Sequence, residues 1–297
     1  MNKLTKLHAH LFLMGASVIY GCNFVISKLA MPAYITPYAF IFLRIVGGAI
    51  LFNILHQLTV KDRRIDKKDI PRFLLAALCG ACINQLLFFD GLSQTSPINA
   101  SVIVVSVPIV VLTLSFTILK ESVTPLKIIG IVLGFTGALM MIGLNGIAFH
   151  SGSMKGDLMV FINAVLYSFY LIITKPLLVK YHPNTVMMWV FTMAVPFVVI
   201  ATWSDVTSTN WKAIPLPIYA AIAYPVLFTT LVANLFYAIA MRVVNASTAS
   251  FYIYFQPMVA TIVAIIVLNE TLRGVQIIAA ALIFIGVYLV GMKKKRH

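Results

Sequence analysis

Residues 99–122 read NASVIVVSVPIVVLTLSFTILKES, and residues 248–271 read TASFYIYFQPMVATIVAIIVLNET. Laid over each other at a constant offset of 149, with no gap, Asn99-Ala100-Ser101 falls on Thr248-Ala249-Ser250 and Pro108 on Pro257. Leu119-Lys120-Glu121-Ser122 falls on Leu268-Asn269-Glu270-Thr271, and farther on Gly137 falls on Gly286. Each copy carries a proline followed thirteen residues later by a glutamate. Near the start of the two halves the offset is 147, with Tyr20 matching Tyr167 and Lys28 matching Lys175. Self-similarity at a fixed period marks one unit used twice, here 1–148 and 149–297.

Outward from these stretches the chain stays apolar. Of 297 residues 61% are hydrophobic and 10% charged, against about 45–50% and about 25% in a soluble globular chain. A water-soluble enzyme is excluded, and so is a disordered chain, which cannot keep this much apolar surface solvated. Ten apolar segments follow one another, at roughly 8–29, 37–58, 72–92, 97–119, 124–145, 157–175, 184–204, 217–240, 245–268 and 272–292. Each suits a helix crossing a hydrocarbon core of about 30 Å. The least regular is 217–240, where Pro215, Pro217 and Pro225 crowd the start. Each half therefore holds five helices. After an odd number of crossings the second half enters the membrane from the opposite side. The expected fold is an all-α polytopic membrane protein of ten transmembrane helices, arranged as two inverted five-helix repeats. Such halves are related by a pseudo-two-fold axis in the membrane plane, with ligand sites near the midplane between them.

The net charge of +14 reflects this topology. Seventeen of the 22 Lys and Arg residues fall in connections on the side of the N-terminus, including the tail Lys293, Lys294, Lys295 and Arg296. Only Lys155, Lys212 and Arg273 fall on the other side, while Lys28 and Arg44 lie within spans. The positive-inside rule places both termini in the cytoplasm of a multi-pass protein of the cell (inner) membrane. The basic tail is then an orientation signal, and no nucleic-acid partner is expected. Lys3 and Lys6 before an apolar run, with Ile19-Tyr20-Gly21-Cys22, faintly resemble a cleavable lipoprotein leader. Tyr20 fits such a box poorly and the segment stays apolar to Ala30, so it is read as the first helix.

The five-plus-five hydropathy, the doubled Pro-x12-Glu spacing, the LKES and LNET segments ending helices 4 and 9, and the lysines closing helices 1 and 6 resemble the drug/metabolite transporter superfamily, specifically its EamA branch. The likeness covers essentially the whole chain. It implies an exporter or exchanger of small metabolites, amino acids included, with a central cavity lined mainly by helices 1, 3, 4, 6, 8 and 9. These motifs report fold and do not fix a substrate.

The residues themselves suggest where a cavity could lie. On helix 6, Asn163, Tyr167, Tyr170 and Thr174 are spaced 4, 3 and 4 and share one face; Ala16, Tyr20, Asn23 and Ser27 repeat that spacing on helix 1. Helix 8 offers Thr230, Asn234 and Tyr237, matching Ala81, Gln85 and Phe88 on helix 3, and helix 9 offers Tyr252 and Gln256 beside Pro257. An amide in hydrocarbon costs about 2–7 kcal/mol without a partner, so paired polar faces point to a cavity, although small and polar residues also serve helix packing. Amides, hydroxyls and aromatic rings suit zwitterions or planar organic molecules better than a metal ion. Pro108 and Pro257 are expected to kink their helices, either to present backbone to a ligand or as static packing.

Charges within the spans are few. Lys28, Arg44 and Asp90 lie toward the outer half, and a lone charge at that depth is costly, so Arg44 is expected to pair with Asp90. Such a pair could be structural or could couple transport to protons. The second half has Phe191 and Ile239 at those places, so the repeat does not require it. Lys28 and Lys175 could snorkel to the interfaces, Glu121 and Glu270 could cap helix ends, and Gly130, Gly134 and Gly137 make a close-packing face on helix 5.

Other signals fail. Cys79-x-x-Cys82 sits in an apolar helix without a thioredoxin-like setting, and the three cysteines imply no disulfide framework. His8 and His10 have no acidic neighbours, so no metal site is legible. No phosphate-binding glycine loop is present, and no cofactor is expected. The expectation is a secondary transporter, not an enzyme, moving small organic metabolites by alternating access. Its partners are a small-molecule substrate and the bilayer, as monomer or homodimer. Two alternatives remain: a nucleotide-sugar or sugar-phosphate exchanger, which would want several cations at the cavity centre, and a membrane-embedded enzyme, which would want a His, Asp or Glu cluster at one depth.

Overall fold

Helix α1 (Lys6–Ala30) starts where the Thr5 side chain accepts the His8 amide, and α2 (Pro37–Thr59) where Thr36 accepts from Ala39 with Pro37 at its first position. Pro at that position loses no hydrogen bond, because the first amides of a helix have no intrahelical partner. A computed structural model describes residues 5–31, 33–60, 64–94, 103–142, 154–268 and 274–291. Helices α3 (Ile70–Ala77) and α4 (Ile83–Gln94) follow, joined by a wide π turn at Leu78–Cys82. Then come α5 (Val107–Thr117), α6 (Pro125–Ile142), α7 (Met154–Lys180) and α8 (Pro183–Ser208). A second wide turn, Pro225–Ala233, joins α9 (Leu216–Tyr224) to α10 (Asn234–Ala240). The last elements are α11 (Ala246–Phe251), a 3-10 turn at Tyr252–Tyr254, α12 (Phe255–Leu268) and α13 (Gly274–Gly291).

Each of the ten apolar segments holds helix, and no strand occurs among the described residues. Five helical stretches are long and apolar enough to cross a membrane: Pro37–Thr59, Lys67–Leu92, Met154–Lys180, Pro183–Ser208 and Leu216–Ala240. Shorter apolar helices include Val107–Thr117, Pro125–Gly137 and Ile277–Val290. Outward-facing side chains such as Ile200 (82% exposed) and Leu216 (83%) suit hydrocarbon, while Phe40, Phe52, Phe73, Phe251 and Tyr254 fill the interior.

Packing follows the repeat. Helix α2 lies on α8 and α6 on α13; α7 packs on α4 and α5 just as α1 packs on α10 and α12. Exchanging the halves leaves this set of pairings unchanged. The α6–α13 contact is backbone-close, because a Cβ on Gly130 would stand 2.7 Å from the Gly286 carbonyl and one on Gly137 2.7 Å from that of Ala279. The glycine face expected on the fifth helix thus meets its counterpart in the other half.

The interruptions are matched as well. The wide turn at Leu78–Cys82 falls within that at Pro225–Ala233 when shifted by the repeat offset of 149. Pro225 lacks the N–H that an α turn would use, which favours the wider winding there. The kinks expected at Pro108 and Pro257 take the form of breaks. The chain leaves helix at 105–106 and tightens at Tyr252–Tyr254, and each proline then sits in the first turn of the helix that restarts. In that turn a missing N–H costs nothing.

Candidate functional site

The matched breaks and wide turns surround a cavity of about 140 Å³ between the two halves. Tyr20 and Asn23 reach it from α1, Gln85 and Phe88 from α4, Asn163, Tyr167 and Tyr170 from α7, Asn234 from α10 and Gln256 from α12. These nine of the eleven residues expected at a binding surface are brought together. The other two stand behind it. Tyr237 is 4% exposed, donates its hydroxyl to the Ala249 carbonyl at 3.3 Å and meets the Tyr20 ring edge-on. Tyr252 holds its hydroxyl 2.6 Å from His10 Nδ1, while its carbonyl accepts from Ser17 Oγ at 2.8 Å. Both rings pack behind the wall rather than line it, held there by their bonds to the Ala249 carbonyl and to His10.

Hydrogen bonds fix the wall. Asn163 Nδ2 donates to the Asn84 carbonyl at 2.8 Å and Asn84 Nδ2 to the Asn163 carbonyl at 3.2 Å, clamping α4 to α7. Tyr20 donates to Asn234 Oδ1 at 2.9 Å, tying α1 to α10 in the corresponding place. Asn234 Nδ2 in turn donates to the carbonyls of Thr229 and Thr230, which lie in the wide turn. A wide turn breaks the regular ladder, and here a side chain restores the lost donors. Gly80 lies in the other wide turn, where a Cβ would collide with the Tyr170 ring.

Arg44 differs from expectation. It lines the cavity, 7% exposed, with Nε donating to Thr230 Oγ1 at 3.3 Å and Nη1 to Gln85 Oε1 at 3.1 Å; its guanidinium carbon lies 5.6 Å from the Phe89 ring centroid. The expected pair with Asp90 is not formed. Asp90 accepts from Tyr38 at 2.8 Å and from Gln94 at 2.9 Å. It sits five residues past Gln85, roughly 7.5 Å along the helix and on another face. Similar depth in the membrane does not by itself make a contact; rotation about the helix axis decides it. The Lys28 side chain and Glu270 lie outside the described residues. Lys175 does not snorkel; Nζ donates to the carbonyls of Met241 and Val244. Glu121 caps α11 through the Ala246 amide at 3.2 Å and Ser247 Oγ at 2.7 Å.

Sequence reasoning missed part of the site. Asn84 carried a signal, an amide within an apolar run. Arg44, Ile45, Val190 and Phe191 bring α2 and α8 into the wall, beyond the helices that the family resemblance implied. Among the described residues no group of three or more His, Cys, Asp or Glu side chains comes together. The surface can therefore bind through hydrogen bonds, aromatic faces and one cation.

The model of the EamA-like transporter family matches residues 7–143 and again 154–292. The chain belongs to the EamA-like transporter family. Among its relatives is the uncharacterized transporter YyaM of Bacillus subtilis (strain 168), 23% identical over 288 residues that cover 96% of this chain and 93% of YyaM. The WAT1-related protein At3g53210 of Arabidopsis thaliana is 26% identical over 308 residues, covering 93% of this chain and 80% of that protein. A solved crystal structure superposes with a TM-score of 0.79 over 97% of both chains at 16% identity, a likeness of fold. This EamA-like chain is thus a multi-pass membrane protein of the transporter type, and relatives such as YyaM are named as transporters rather than enzymes.

Proposed function

We propose that this EamA-like protein is a secondary transporter that exports small organic metabolites, amino acids among them, across the cell inner membrane. The observation that carries the proposal is the cavity between the halves, walled on both sides by matched polar faces and by matched interruptions of the helices. Ten crossings in two inverted halves, with both termini in the cytoplasm, give each state a counterpart reached by exchanging the roles of the halves. At about 140 Å³ the cavity has room for roughly ten waters at about 10–15 Å³ each, the scale of a small metabolite. A nucleotide sugar would want more cations than the single arginine on the described wall. Comparing metabolites released by cells with and without the protein, followed by flux of each hit in proteoliposomes, tests the proposal. Energy-dependent release of at least one small metabolite is expected, and identical profiles together with no flux in vesicles would overturn it.

A further inference from the structure

Arg44 brings a charge into the cavity, and no described residue on the wall supplies a counter-charge. Among the described residues it is the one cation on the wall, and no carboxylate lines the cavity with it. A guanidinium has five N–H donors; one is held by Thr230 and one by Gln85, both neutral, which leaves the outer edge of the fork for something else. A buried charge with only neutral partners is costly, and the cost is recovered when an opposite charge with good geometry arrives. The fold does not demand the charge, because the matching place in the second half is Phe191, also on the cavity wall. Gln85 and Thr230 come from opposite halves, so the guanidinium is aimed by both.

We propose that Arg44 anchors the carboxylate of a small organic acid or amino acid in this cavity. The inference rests on the transport reading and names the chemistry of its substrate. The planar fork matches the two oxygens of a carboxylate. The apolar body of the ligand lies against Phe88, Phe89 and Phe191, and Tyr167 and Gln256, whose polar ends make no hydrogen bond to other described residues, line the cavity from α7 and α12. A single cation balances one carboxylate, whereas a phosphate group carries about −1.5 to −2 at neutral pH.

Detergent-purified full-length protein, titrated with pairs of probes of equal shape and followed by thermal stabilisation, tests this. The pairs are 3-phenylpropionate with 3-phenylpropanamide and hexanoate with hexanamide. The carboxylate member should bind at least about tenfold tighter, as a charge-assisted forked contact implies. Arg44→Gln should abolish the difference and Arg44→Lys should keep part of it. Should Arg44→Gln not accumulate, the wild-type pairs stand on their own, and Gln85→Met, which loosens the aim of the fork, should narrow the gap between each carboxylate and its amide. Equal binding within each pair, no binding by any carboxylate, or a preference that survives Arg44→Gln overturns the proposal. Competition by inorganic phosphate or chloride as strong as that by the carboxylates overturns it too. Flux in proteoliposomes separates the two readings: movement of neutral metabolites without a carboxylate preference leaves transport standing and removes the anchor.

Discussion

Asn84 and Asn163 each give a side-chain amide to the other's backbone, so the contact between α4 and α7 is held twice. Asn84→Ala or Asn163→Ala should each cost about 0.5–1.5 kcal/mol, read by thermal unfolding in detergent. The double variant should lose less than the sum, because either bond sets the helix spacing that the other needs. Unchanged stability in both single variants would show these amides idle. Asn163 was legible in the sequence because it starts a polar face repeated on helix 1. Asn84 lacked such a partner face. The contact of Arg44 was not legible at all, since position along two helices gives depth and says nothing of how each is turned.

At the next scale, the end of α5 aims a side chain at another helix. Lys120 has φ 51°, and the Glu121 amide bonds back to the Ser115 carbonyl at 3.0 Å, closing the end of the helix. The closure turns the Glu121 carboxylate toward the first turn of α11, where it accepts from Ala246 and Ser247. Glycine adopts this conformation freely, so Lys120→Gly should raise stability by up to about 1 kcal/mol in thermal unfolding; a loss would mean that the lysine side chain contributes more than its backbone costs. Between α7 and α8, His182 caps α8 by accepting the Asn184 amide through Nδ1 at 3.2 Å. Burial, and then the charge of Arg242, hold this histidine below its usual range. The neutral form is thus favoured in the folded state. This contribution is present above the usual histidine pKa and is lost as pH falls through the lowered one. His182→Asn keeps a good cap that does not titrate, and should flatten the stability profile between about pH 7 and 5; an unchanged slope would assign the acid sensitivity elsewhere. Caps were foreseeable from residue type, whereas the wide turns were not. One extra residue in a turn leaves little trace in composition, and Gly80 and Pro225 were the sole local hints.

Across the whole molecule the two-fold pairing of helices has a consequence for sidedness. In a background with Cys22, Cys79 and Cys82 replaced by alanine, Ile65→Cys should be shielded from a membrane-impermeant thiol reagent added outside intact cells, and Ser208→Cys should react. The reverse pattern, or equal labelling of both, would end the inverted arrangement and the orientation drawn from the cations. The all-helical, multi-pass class was legible because apolar segments follow one another along nearly the whole chain, whereas sidedness rests on the cations alone and waits on this labelling. The closing contacts around the 241–247 turn were not legible, since carbonyl acceptors leave no mark on a sequence.

The two wide turns also carry a history. An extra residue retained at the same place in both halves is most simply a single insertion made before one half was copied from the other. The differences between the halves, Arg44 against Phe191 and Asp90 against Ile239, then belong to divergence after the copying. On this ordering the shape of the chamber is ancestral and its charge is a later acquisition of this lineage. Relatives whose residue aligned with Arg44 is uncharged should still widen both helices at these places, and structures of such relatives with regular α winding there would reverse the order.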